Sequence, residues 1–303
     1  MIVAPIPALL AHLVDSATTD LDGGDRLSDA IDEHRNHVSA WYGELMGLLV
    51  VRASDAPEVA KSGAADGLPV ALVADTGIER LVDAVTTLRR AGASVQRAEA
   101  AVAKRGEDPV PGIRHLLRAA QRLGDAGVAV HAEIPLSGGL HDALDLLAAA
   151  ASATRPVAAT FRLGGLAGEL FPPPPVLAGV ICACRDRGLR FSVNAGLDRA
   201  LRHNDHETGF AHHGVLNVLG ACLAASLGAA QAAVADRLAT NDPLLLTEAV
   251  VGARDSARPL WTAYTSTRVD DIVHDLTLYD LVSRERRDVD GPELSTASDN
   301  AVS

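Results

Sequence analysis

The residues best suited to chemistry stand where apolar runs of the sequence end. Arg162 closes one such run and is followed by Gly164 and Gly165. An arginine fork binds phosphate or carboxylate, and glycine lets a ligand approach backbone N–H donors. The alternative is that the glycines only permit a tight turn and that Arg162 pairs with a carboxylate, because a buried guanidinium needs an anionic partner. The turn therefore indicates either an anion-binding site or an internal ion pair.

Two residues are candidates for proton transfer. Glu133 ends a second apolar run, where burial can tune a carboxyl group for acid–base catalysis, unless the residue forms a salt bridge across the site. His131 lies two residues earlier and points to the same side of a strand. His213 stands where a helix is expected to begin, a position that favours ligand groups. Asn217, one turn further on, either shares that ligand or hydrogen-bonds the scaffold.

Asn194 and Gly196 end a third apolar run and complete the candidate ligand-binding set. Ligands of parallel α/β folds bind at the carboxyl ends of the strands, so the polar residues that follow the other runs belong to the same predicted ring. These further residues are Arg52, Ser54, Asp75, Thr76, Arg97, Glu99, Asp198, Arg199, Thr265, Ser266 and Thr267. The ring mixes acids with arginines, which suits a small charged ligand.

The apolar runs alternate with helical patterns six or seven times along the chain. They are apolar throughout, which is typical of a parallel sheet covered on both faces. We therefore predict a (β/α)8-like, TIM-type barrel, incomplete if only seven strands form, with an open doubly wound sheet as the alternative. Neither a G-x-G-x-x-G turn after the first strand nor a P-loop motif is present, so nicotinamide and P-loop nucleotide binding lose support.

The predicted barrel domain covers residues 1–282, and the polar residues 283–303 indicate a disordered tail. Within the domain, residues 1–40 are expected to form an N-terminal helical extension. The first strand candidate is 46–51, and a weaker third strand candidate covers 93–98.

The composition argues against several classes of partner. The 303 residues are 48% apolar and 3% aromatic, so a large core can form from Ala, Val and Leu. The net charge is −12, which a nucleic-acid backbone would repel. We find no secretory signal and no run of about 20 apolar residues, and so expect no membrane partner. The three cysteines then fit reduced thiols in a cytoplasmic protein. The sequence is also compatible with a homo-oligomer.

A histidine-rich segment offers the densest cluster of metal-ligand types. It reads H-N-D-H-E at 203–207 and is followed by His212 and His213. The spacing matches neither H-E-x-x-H nor a facial triad, and such residues are also common in polar loops. We therefore predict no metal and no other cofactor, and keep a metal-dependent barrel enzyme as an alternative.

The chain resembles an uncharacterised bacterial barrel family at several motifs. T-F-R-L-G-G at 160–165 resembles the family's K-x-R-x-G-G, and L-F-P at 170–172 resembles its F-P segment. N-A-G-L at 194–197 and H-G-V-L-N-V-L at 213–219 are similar to its A-G-L and H-G-F-L-N-V-L motifs, and E-I-P at 133–135 to its E-V-P strand end. The resemblance implies a barrel fold and no particular reaction.

The chain departs from this family at residues that would carry chemistry. Thr160 stands at the family's lysine position, so a Schiff base would lack its nucleophile there. Asp198 and Arg199 replace a pair of histidines, and D-L-D-G at 20–23 replaces an F-P-P-A segment. These departures indicate altered or lost chemistry.

Two main functional hypotheses follow. The first is an enzyme that binds a small anionic metabolite, phosphorylated compounds included, and carries out lyase, aldolase-like or isomerase chemistry. Arg162, Gly164 and Gly165 would hold the anion, and Glu133 or His213 would move a proton. The second is a non-catalytic, degenerate barrel that binds a metabolite or a protein partner.

Overall fold

The computed structural model describes residues 6–17, 27–151 and 157–284. Its strands are Val14–Ala17 (β1), Met46–Arg52 (β2), Pro69–Val73 (β3), Ser94–Ala101 (β4), Ala129–Glu133 (β5), Val157–Arg162 (β6), Phe191–Asn194 (β7), His203–Asn204 (β8), Ala211–His212 (β9) and Trp261–Ser266 (β10). Eight of them pair in parallel and close a barrel in the order β1-β10-β7-β6-β5-β4-β3-β2, while β8 and β9 form a separate hairpin. The predicted TIM-type barrel is confirmed, with eight strands rather than seven.

Helices cover the outside of the barrel. They are Leu27–Ser39 (α1), Ala56–Lys61 (α2), Leu81–Arg90 (α3), Val110–Asp125 (α4), Leu140–Ala151 (α5), Pro174–Asp186 (α6), Val215–Ser226 (α7), Gln231–Ala239 (α8), Pro243–Gly252 (α9) and Val269–Leu278 (α10). Helix α4 shows why they form, because its buried residues Ile113, Leu116, Ala120 and Leu123 recur at the spacing of one helix face. Such faces join the strands in one continuous apolar core.

The first barrel strand lies within the segment that we expected to be a helical extension, and this corrects the prediction for residues 1–40. The strand reads V-D-S-A, and its two polar residues are buried with partners. Asp15 forms an ion pair with Arg97, and Ser16 hydrogen-bonds His34 of α1. A strand whose buried side chains are polar lacks the apolar pattern on which strand prediction depends.

The barrel interior is polar in the half where β4 to β7 end. Arg97 and Glu99 of β4 contact residues of β1, β6 and β7, none of which neighbours β4, so both side chains point inward. Ala98 and Ala100 alternate with them and are fully buried. The inward polar residues interrupt the apolar run, and the strand extends to Ala101, beyond the predicted 93–98.

No helix in the described ranges is long and apolar enough to cross a bilayer. The tail prediction for 283–303 falls, from residue 285 onward, outside the described residues.

Candidate functional site

Three adjacent strands end in residues that contact one another. Glu133, Arg162 and Asn194 are the last residues of β5, β6 and β7. Arg162 donates from Nε and Nη2 to the two carboxylate oxygens of Glu133, at 3.0 and 3.2 Å. Asn194 donates from Nδ2 to the same carboxylate at 3.1 Å. The sequence therefore identified three residues that the barrel brings together at its mouth, the carboxyl ends of its strands.

Glu99 is the fourth member of this group; the sequence placed it in the predicted ring but assigned it no catalytic or ligand-binding role. Asn194 Nδ2 donates to Glu99 Oε1 as well as to Glu133, so one amide bridges two carboxyl groups. Thr160 donates to the other oxygen of Glu99 at 3.2 Å, and Thr265 donates to Asn194 Oδ1 at 3.1 Å, which fixes the amide orientation. We call Glu99 and Glu133 the carboxyl pair.

The two carboxyl groups have different surroundings. Glu99 is 1% exposed, and burial, opposed by Arg97 and reinforced by Glu133, raises its pKa to about 7. Glu133 is partly exposed and is neutralised by the Arg162 fork. Burial alone would lower the pKa of Arg162, but the Glu133 carboxylate raises it above the ordinary value. Near neutral pH the inner carboxyl group is therefore present in both its protonated and its ionised form, while the outer one forms an ion pair.

A hydrogen-bonded chain continues from Glu99 deeper into the barrel. Thr160 Oγ1 lies 2.7 Å from Ser192 Oγ, and Ser192 Oγ lies 2.9 Å from Nδ1 of His131. All three residues are buried. Burial, together with the charge of Arg97, holds the pKa of His131 well below its usual range, so the ring is neutral. Thr160 links Glu99 to Ser192 in this hydrogen-bonded chain.

Below the carboxyl pair lies a sealed ion pair. Nη2 of Arg97 is 2.6 Å from Oδ2 of Asp15, and the other carboxylate oxygen accepts from the backbone N–H of Leu48 at 2.7 Å. Both ion-pair residues are nearly inaccessible to solvent. This pair crosses the barrel from β4 to β1 and closes the interior beneath the site.

The predicted glycines are explained mainly by backbone packing. A Cβ at Gly164 would lie 2.6 Å from Cα of Gly196, and one at Gly196 would lie 2.2 Å from the carbonyl oxygen of Leu163. Gly196 also has φ of +77°, which favours glycine. The turns after β6 and β7 therefore pack directly on each other. Gly165 is exposed, and a Cβ there would meet the side chain of Leu170 at 2.4 Å.

His213 and Asn217 lie at the start of α7 and are engaged with the scaffold. His213 is 2% exposed and donates from Nε2 to the carbonyl oxygen of Pro172 at 2.8 Å, and burial lowers its pKa to about 4. Asn217 is fully buried, accepts from the backbone N–H of Arg202 and donates to two further carbonyls. The structure does not bring these two residues into the group formed by Glu133, Arg162 and Asn194.

The remaining histidines of the rich segment lie on the β8–β9 hairpin. His203 and His212 face each other across it with ring centroids 5.1 Å apart, and Asp198 lies 3.3 Å from Nδ1 of His212. His206 is exposed near the hairpin turn. Within the described ranges, no group of three or more His, Cys, Asp or Glu side chains is arranged to hold a metal ion.

Comparisons with known proteins find matches only among solved structures. No family model and no curated protein matches the chain. Among 16 matching chains of solved structure is a deoxyribose phosphate aldolase from Aeropyrum pernix, described as having a unique tetrameric structure. It is 11% identical, the match covers 88% of this chain and 91% of that one, and the TM-score is 0.49. We draw no conclusion about fold or function from a likeness at this level.

Proposed function

We propose that this barrel binds a small anionic metabolite at its mouth and catalyses a proton transfer of the lyase or isomerase type. The observation that carries the proposal is the bridging of Glu99 and Glu133 by the Asn194 amide, with the Arg162 fork closing the group toward solvent. Carboxyl groups whose surroundings differ in this way can differ in protonation, which leaves one carboxylate able to accept a proton. A purely structural ion pair would need neither the second carboxyl group nor the amide bridge.

In this proposal Arg162 binds the phosphate or carboxylate of the ligand, because its planar fork matches two oxygens of either group. Glu133, then released, faces the ligand and is the proposed catalytic residue. Its carboxylate removes a proton from a carbon beside a carbonyl group, and the C–H electron pair moves toward the carbonyl oxygen as an enolate. In an α-hydroxy carbonyl compound, transfer of the hydroxyl proton to the enolate oxygen and return of the carbon-bound proton to the former carbonyl carbon complete an isomerisation. In a compound with a leaving group β to the carbonyl, the enolate electron pair expels that group and completes a lyase reaction.

Glu99 is a positioning residue in this scheme. It touches Asn194 and Thr160 rather than the open mouth, and its burial raises its pKa so that it is partly protonated near neutral pH. A neutral Glu99 leaves Glu133 as the only negative member of the pair and lets it accept a proton. We assign no proton transfer to His213, whose buried ring is bonded to Pro172.

Aldolase chemistry through a Schiff base is not part of the proposal. The sequence contains two lysines, Lys61 and Lys104. Lys61 ends α2, Lys104 is exposed in the segment that follows β4, and neither lies on a barrel strand. The interior position of the family's lysine is Thr160, which cannot form an imine.

A thermal-shift screen of phosphorylated and carboxylated keto and hydroxy compounds tests the proposal. Compounds that stabilise the wild type should lose their effect in Arg162→Gln and keep it in Arg187→Gln, a control arginine that directly follows α6 and pairs with Asp145 at 2.7 Å. In D₂O, NMR should then show deuterium entering the hit beside its carbonyl group, at least about 100-fold more slowly in Glu133→Gln. Compounds that stabilise Arg162→Gln as much as they stabilise the wild type would contradict the proposed site.

A non-catalytic binding module is the second candidate, and one observation favours it. Asp198 and Arg199, which replace the family's histidines, contact the scaffold, with Asp198 near His212 and Arg199 Nε 3.5 Å from Asp275. A hit that depends on Arg162 but shows no deuterium exchange and no turnover would support this candidate instead.

A further inference from the structure

We infer that the barrel mouth takes up a proton together with its anionic ligand, so that binding at Arg162 is coupled to protonation of the carboxyl pair. The inference rests on the proposed function, because it concerns the same site. It follows from the resting geometry, in which the arginine that would meet the ligand is already bound to one carboxylate of a bridged pair.

An anion reaches Arg162 in competition with Glu133. The guanidinium uses Nε and Nη2 to hold both carboxylate oxygens, and phosphate or sulfate would use the same fork. The Arg162 side chain is 35% exposed and that of Glu133 is 16% exposed, so an incoming anion meets the guanidinium first. Binding through the fork therefore breaks the N–H···O bonds to Glu133.

The carboxyl pair loses its outer cation in that step and keeps its other contacts. Asn194 Nδ2 still donates to both Glu99 and Glu133, so the two carboxyl groups cannot move far apart without breaking one of these hydrogen bonds. Two carboxyl groups held together in a covered site gain affinity for a proton when a neighbouring cation is withdrawn. A solvent proton that adds to a carboxyl oxygen of the pair replaces the lost positive charge.

The other groups around the pair do not replace Arg162. Arg97, the cation on the inner side, is fixed by Asp15 at 2.6 Å and is nearly sealed from solvent. His131, on the hydrogen-bonded chain below, is kept neutral by burial, with its pKa well below the usual value. Among the described residues, the other side chains that hydrogen-bond to the pair are uncharged, namely Thr160 on β6 and Asn194 on β7, and Thr265 of β10 hydrogen-bonds the Asn194 amide.

The test is the affinity for sulfate as a function of pH, at constant ionic strength. Sulfate keeps two negative charges from pH 6 to 9, so its own titration does not interfere. Because the pKa of Glu99 is about 7 in the free site, we expect the sulfate Kd of the wild type to be flat below pH 6. Above pH 7 it should rise and approach a tenfold increase per pH unit, the limit for one coupled proton.

Variants separate this inference from the proposed function. Glu133→Gln should bind sulfate more tightly than wild type at pH 8.5 and with little pH dependence, because Arg162 no longer has a carboxylate partner. Arg162→Gln should lose sulfate affinity at every pH, and Arg187→Gln, a control arginine that directly follows α6 and pairs with Asp145, should behave like wild type. A pH-independent Kd in the wild type, with affinity still lost in Arg162→Gln, would overturn the coupling and leave the anion site intact.

Two further outcomes bear on the site as a whole. Equal sulfate affinity in wild type and Arg162→Gln, or no sulfate binding at any pH, would overturn both the coupling and the proposed anion site. If Glu133→Gln does not fold, proton uptake by unbuffered wild type at pH 8 decides the matter. Uptake of up to one proton per bound sulfate supports the inference, and no uptake contradicts it.

Discussion

The Arg97–Asp15 and Arg162–Glu133 pairs join the same kinds of groups inside one barrel, yet they differ in their access to solvent. The side chains of Arg97 and Asp15 are 8% and 2% exposed, whereas those of Arg162 and Glu133 are 35% and 16% exposed. The inner pair also receives a backbone N–H from Leu48, and the outer pair is linked through Asn194 to a second carboxyl group.

This difference shows which pair can exchange partners. A ligand cannot reach Arg97 without opening the barrel, and loss of either inner partner would leave a buried charge uncompensated. Arg162 can turn from Glu133 toward an anion while water still solvates part of its guanidinium. We therefore assign a structural role to the inner pair and a binding role to the outer pair.

The largest expected effect is on the inner pair. Arg97→Met should lower the free energy of unfolding by about 3–5 kcal/mol, because Asp15 remains buried without its cation. Arg162→Met should lower it by about 1 kcal/mol or less, because the outer pair is partly solvated. Denaturant unfolding at pH 7 measures both values. Equal losses in the two variants would contradict the division of roles.

A smaller effect is expected at the turns that carry the outer pair. Gly196→Ala should destabilise the protein by about 2–4 kcal/mol, because a Cβ there meets the Leu163 carbonyl at 2.2 Å in addition to the strain of φ +77°. Gly188→Ala is the matched control, with φ +64° and open space, and should cost about 1 kcal/mol. Similar losses in both variants would argue against direct packing of the two turns.

Much of the outer pair could be predicted from the sequence, and the inner pair could not. Glu133, Arg162 and Asn194 end runs of apolar residues, and parallel strands of a barrel end at the same mouth. Asp15 lies in a strand of only four residues with no apolar run. An ion pair that crosses a barrel produces no local sequence pattern, because its two residues are far apart in the sequence.

The roles of Glu99 and of the polar residues of α7 could also not be predicted from the sequence, for two different reasons. Glu99 lies two residues before the end of β4. The alternation of polar residues with alanines in this strand is the sequence pattern that could have indicated an inward-facing Glu99. His213 and Asn217 occupy promising positions at a helix start, but α7 is buried over most of its length. A helix that is apolar on all sides is an interior helix, and polar residues on it need scaffold partners.

The smallest expected effect concerns Glu99. Its pKa is raised from 4.5 to about 7 on folding, so the folded state binds its proton more tightly than the unfolded state. The stabilisation is fully present below pH 4.5 and is lost as pH rises toward and through 7. From pH 5 to 7, wild type should therefore lose stability relative to Glu99→Gln by about 1 kcal/mol per pH unit.

The quantity to measure is the difference in unfolding free energy between wild type and Glu99→Gln at each pH. Burial also lowers the pKa values of His34 and His213 to about 4, which makes stability rise with pH between 4 and 6.5. This contribution is common to wild type and Glu99→Gln and cancels in the difference. A pH-independent difference would mean that Glu99 has the same proton affinity in both states.

The position of a bound anion tests the central claim most directly. Crystals soaked in selenate, a sulfate analogue with an anomalous signal, should show an anomalous peak within about 4 Å of the Arg162 guanidinium at the barrel mouth. The same map should show Glu133 released from Nε and Nη2, with the Arg97–Asp15 pair unchanged. Selenate bound elsewhere while the Arg162–Glu133 fork stays closed would contradict the account.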